Sequence, residues 1–142
     1  MGQYFIAVNE DRREFIHPHR FGDGLKFFEL CSGSQGFLAG LAHLLRKTDD
    51  PVHPLDVVGS WAGCKIILIG DYDSSKIYEK AFDEYKDVSF NVMRAMVRDK
   101  DIKASLAEAT KWRRIKNVGY LAADKDEQEF YEEVFGGGET KN

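Results

Sequence analysis

A chain of 142 residues, 43% hydrophobic and 13% aromatic, has the apolar material for one real core and too little length for two large domains. Twenty Lys and Arg against twenty-four Asp and Glu leave a net charge of −4, which removes the electrostatic footprint of a general nucleic-acid binder. Apolar runs are only a few residues long and Met1-Gly2-Gln3-Tyr4 carries no basic leader, so neither a membrane span nor a signal peptide is expected and the cytoplasm is the default compartment.

Residues Gln3 to Asn9 are aromatic and β-branched and predict a strand, followed by the polar turn Glu10-Asp11-Arg12 and a second strand near Arg13 to His17. Together they make a hairpin. Beyond Gly22-Asp23-Gly24, the stretch Leu25 to Leu30 is read as a short helix. Phe37, Leu38, Leu41, Leu44 and Leu45 recur at helical spacing and predict a buried helix over 35–46, with Gly40 marking a close approach. Thr48 to Pro54 is a loop. Ile66-Ile67-Leu68-Ile69 is apolar on both faces and flanked by Gly63 and Gly70, the pattern of a central strand covered on both sides. Ser74 or Ser75 caps a helix whose Ile77, Ala81, Phe82 and Tyr85 share a face; Ser89 caps another with Phe90, Met93 and Val97; Asp101 opens a third with Ile102, Leu106 and Ala109. A last amphipathic helix with Phe130, Tyr131 and Val134 ends at Gly136-Gly137-Gly138. The fold class is α+β: an N-terminal hairpin and a central buried strand form a small sheet, packed by several helices mainly from the C-terminal half. Residues 1–135 make the single domain and 136–142 a flexible tail.

Composition divides the chain. Nine of thirteen glycines, all four histidines, all three prolines and both cysteines lie in residues 1–70, so any shaped site belongs there. Cys31 and Cys64 form no CxxC pair and read as two reduced, buried thiols. The densest chemistry is His17-Pro18-His19-Arg20-Phe21-Gly22-Asp23-Gly24-Leu25-Lys26. Two histidines two apart share a side if the strand continues through Pro18, and with Asp23 they offer a weak metal set. Arg20, the glycine backbone and Lys26 at a helix start suit a phosphate or carboxylate better. The structural alternative is an Asp-Gly turn with Arg20 paired to Glu14 or Glu29. Trp61, in Gly59-Ser60-Trp61-Ala62-Gly63, is either core or a flat stacking platform, core being favoured. Asp71, Tyr72 and Asp73 follow the apolar strand, where α/β sheets often hold ligands, although carboxylates before a serine-capped helix also serve its dipole. In the second half, Lys111, Arg113 and Arg114 around Trp112 form a basic block answered in sign by Asp124 to Glu133; the block is a candidate docking surface, or the two compensate each other.

The phrases Met1-Gly2-Gln3-Tyr4, His17 to Lys26, Gly59 to Gly63 and Gly70-Asp71-Tyr72 together resemble a family of small uncharacterised proteins from bacteria, bacteriophages and other mobile elements. The resemblance covers roughly the first half of the chain and brings no activity with it. It implies a short interaction or ligand-sequestering module acting on host machinery or defence. The expectation is therefore a non-enzymatic binding protein without a cofactor, able to form oligomers, that engages a host protein or an anionic small molecule. Its candidate ligand-binding residues are His17, His19, Arg20, Asp23, Lys26, Trp61, Asp71 and Tyr72, with Lys111, Arg113 and Arg114 for a partner. The alternative is a metal- or phosphate-dependent hydrolase built on His17, His19, Asp23, Asp71 and Asp73.

Overall fold

Side-chain alternation along the first strand sets the architecture. In β1 (Phe5–Asn9), Ile6 and Val8 enter one apolar cluster while Ala7 enters another on the opposite face, with Phe5 packed against it. A computed structural model describes residues 3–21, 23–24, 26–31, 36–47, 57–98 and 129–130. β1 pairs antiparallel with β2 (Glu14–Ile16) to complete the expected hairpin. Its turn is closed by the Asn9 side chain, which accepts the Arg12 N–H at 2.9 Å, and by Arg13 at φ 56°. On its other side β1 pairs antiparallel with β3 (Ile66–Gly70), and β4 (Lys86–Asp87) lies parallel to β2. The resulting mixed sheet has the order β3-β1-β2-β4.

Four described helices cover this sheet, so the fold is α+β. α1 (Phe27–Leu30) is a single turn, α2 runs Phe37–Leu45, α3 Ile77–Glu84 and α4 Ser89–Arg98. α2 and α4 pack on the face that carries Ala7 and Ile16, burying Phe37, Leu44, Val92, Met93 and Met96 around Trp61. α3 takes the other face, where Ala81 meets Ile6, Val8 and Phe15. Gly40 sits where α2 approaches its neighbours most closely: a Cβ there would stand 2.6 Å from Cε2 of Phe21. Helical Phe130 is fully buried and stacks on Phe90 at 5.1 Å, so the far end of the chain contributes to the core. No helix among the described residues is long and apolar enough to cross a membrane.

Three details differ from the sequence reading. Ile66–Gly70 is an edge strand among the described residues, not the central one, and Leu68 remains 41% exposed; the centre belongs to β1 and β2. Cys31 is exposed, because Leu30 takes the core position at the end of α1, and Cys64 is half-buried; both are free thiols. Ser89 lends its hydroxyl to the backbone of His17 rather than to its own helix. The helix expected from Asp101 and the tail 136–142 lie outside the described residues, as does the terminal helix apart from Glu129 and Phe130.

Candidate functional site

β2 stops at Ile16 because Pro18 has no N–H to continue a ladder, and Pro18–Phe21 coil into a 3-10 turn. The histidines nevertheless meet: their rings stack with centroids 5.5 Å apart at 22°. His17 Nδ1 accepts the His19 backbone N–H at 3.2 Å, and His19 Nδ1 lies 2.9 Å from the Asp23 carbonyl, the geometry of an Nδ1–H donating to it. The Phe82 ring on α3 stands T-shaped to the His17 ring, centroids 5.3 Å apart. These contacts hold the turn in one shape.

Arg20 and Asp23 have defined partners, and Lys26 is tied through its backbone. Arg20 Nε pairs with Asp87 at 3.3 Å while its guanidinium lies 4.9 Å over the Phe90 ring, so β4 supplies it with a carboxylate that the sequence reading does not name. Asp23 accepts the Phe37 N–H at 2.7 Å and thereby caps α2 from fourteen residues upstream. Lys26 is exposed at the start of α1, and its backbone N–H goes to the Glu29 carboxylate at 3.1 Å. That same carboxylate lies against Gly24, in the space where an anionic ligand was expected to approach the backbone. A carboxylate of the chain itself satisfies the turn.

Trp61 is fully buried, and its indole N–H donates to Glu14 at 2.8 Å. The stacking-platform reading is therefore corrected: the ring fills the core between β2 and α2, in a turn closed by Gly59 and Gly63 at φ 78° and 81°. Asp71 pairs with Tyr4 in both directions, its N–H donating to the Tyr4 carbonyl at 2.9 Å and its side chain accepting the Tyr4 N–H at 3.0 Å. Tyr72 is 63% exposed. Asp73 accepts both the hydroxyl and the N–H of Ser75, which hold its carboxyl below the usual carboxylate range. The Ser75 hydroxyl in turn accepts the Ile77 N–H at the start of α3.

Asp87, which the sequence reading does not single out, completes the network with Ser89. Asp87 accepts the Ser89 N–H at 2.9 Å and the Ser89 hydroxyl at 2.6 Å, and that hydroxyl accepts the His17 N–H at 2.9 Å. The signal was an Asp-x-Ser pattern before a helix, which occurs as Asp73-Ser74-Ser75 and again as Asp87-Val88-Ser89. Lys111, Arg113 and Arg114 lie outside the described residues. Among the described residues no three His, Cys, Asp or Glu side chains are grouped to hold a metal ion. The three most exposed large hydrophobic side chains among the described residues are aromatic: Phe28 at 83%, Tyr72 at 63% and Phe27 at 47%. No family model matches the chain, and neither the curated proteins nor the solved structures include a match to it.

Proposed function

We propose that the protein is a non-enzymatic interaction module that docks on another protein through the exposed aromatic turn Lys26-Phe27-Phe28. One observation carries the reading: Arg20, Asp23, Asp71 and Trp61 are each bonded to parts of the fold, whereas Phe28 projects 83% of its surface into solvent beside an exposed lysine. Exposed aromatic residues beside a cation suit an apolar partner surface with an acidic rim. Phe27 is itself set edge-on against Phe5 at 5.8 Å, so the turn is anchored to the central strand. The resemblance of the motifs to bacterial and bacteriophage proteins makes a host protein the first partner to screen.

The test combines affinity capture from host lysate with binding measurements on the captured partner. Substituting Phe28→Asp should weaken binding by at least about tenfold, equivalent to about 1.4 kcal/mol, and Lys26→Glu should weaken it less. Retained binding in Phe28→Asp would defeat the proposal. A nucleotide or second messenger at 100 times its dissociation constant would stabilise the wild type by about 2.7 kcal/mol, and such a shift would transfer the reading to an anionic small molecule. Stoichiometric metal in the purified protein would favour the hydrolase built on His17, His19, Asp23, Asp71 and Asp73.

A further inference from the structure

We infer that two copies of the chain join β3 to β3, antiparallel, about a two-fold axis at Leu68. β3 has only one partner among the described residues, β1. The hydrogen bonds at the two ends of that ladder show which way its backbone faces. Asp71 N–H reaches the Tyr4 carbonyl at 2.9 Å and Glu10 N–H reaches the Lys65 carbonyl at 3.3 Å, so odd-numbered positions of the strand turn their polar groups toward β1. Ile66, Leu68 and Gly70 therefore turn theirs toward the opposite edge.

Among the described residues, that edge, Ile66–Gly70, carries no charge, proline or bulge of the kind by which edge strands avoid pairing, and its register with β1 runs through five consecutive pairs. Leu68 at its middle is 41% exposed.

Its flanks select a second copy rather than an unrelated strand. With Leu68 opposite Leu68, the two leucines exchange reciprocal backbone hydrogen bonds, and Ile66 of each copy does the same with Gly70 of the other. One position further out, Lys65 of each copy stands opposite Asp71 of the other, so opposite charges meet at both ends of the pairing. The Lys65 side chain is 71% exposed and lies at the loose distance of 3.6 Å from Glu10. A register shifted by two residues sets Lys65 opposite either Ile69, which carries no charge, or Asp73, whose carboxylate is already bonded to Ser75. The Gly70 carbonyl already accepts the Asp73 N–H at 3.1 Å and offers its second lone pair. The result is an isologous dimer with one continuous sheet across both copies.

Sedimentation equilibrium over a wide concentration range tests the pairing. Wild type should show twice the chain mass. Leu68→Lys should raise the dissociation constant by at least about tenfold with the far-UV circular dichroism spectrum unchanged, since lysine is a normal edge-strand residue. Wild type that stays monomeric throughout, or a dimer that survives Leu68→Lys, overturns the inference. A second variant, Leu68→Cys in a Cys31→Ser, Cys64→Ser background, reads the geometry directly. Hydrogen-bonded antiparallel pairs hold their Cα atoms about 5.5 Å apart, within disulfide range, so mild oxidation should yield a covalent dimer. Failure to cross-link would also overturn it.

Discussion

At the scale of single residues, the molecule uses its polar side chains as braces. Asp23, Asp71, Asp73 and Asp87 each accept a backbone N–H near the end of a helix or strand. Such carboxylates resemble site residues in a sequence because short distance along the chain says nothing about what lies across a turn. Gly40 is the opposite case, legible in advance because a glycine inside a strong helical pattern has few explanations besides close packing. Gly40→Ala should destabilise the fold by roughly 1–3 kcal/mol, since its Cβ meets the Phe21 ring at 2.6 Å and Val92 at 3.3 Å in a filled core. Urea denaturation of the pair of proteins measures it; a neutral result would mean that Phe21 can move aside.

At the scale of elements, α2 begins without a capping side chain of its own, because Gly36 occupies the N-cap position. Asp23 supplies the missing oxygen from the histidine turn. Asp23→Ala should therefore cost about 1 kcal/mol and should increase amide exchange at Phe37 before it affects α4. Uniform exchange along both helices would place the carboxylate's role elsewhere. Hairpin, α2 and α3 were legible because alternation and helical spacing run through them. β4 was not: two polar residues, Lys86-Asp87, carry no apolar period, and their pairing depends on the Phe15 carbonyl accepting the Val88 N–H at 2.9 Å. β3 is legible as a strand but not as an edge, since a run of Ile and Leu does not distinguish burial on two faces from an open edge.

At the scale of the whole molecule, the core closes only when the far end of the chain arrives. Phe130 is fully buried between the Phe90 ring at 5.1 Å and the Arg94 guanidinium at 5.7 Å. Phe130→Ala should cost roughly 3–5 kcal/mol, and thermal melting should show one cooperative transition at lower temperature. Two separate transitions would mean that the C-terminal segment melts apart from the sheet. The α+β class was readable from strands preceding helices, but the reach of Phe130 was not, because a helical pattern names the apolar face and never its seat. The order of the sheet also bears on how the protein is made. β1 leaves the ribosome before any other described element, yet Tyr4 bonds to Asp71, 67 positions later. The apolar face of the hairpin, with Ile6, Val8 and Phe15, thus stays uncovered on the nascent chain until β3 and α3 have emerged, and that interval is when chaperone capture and misassociation compete with folding.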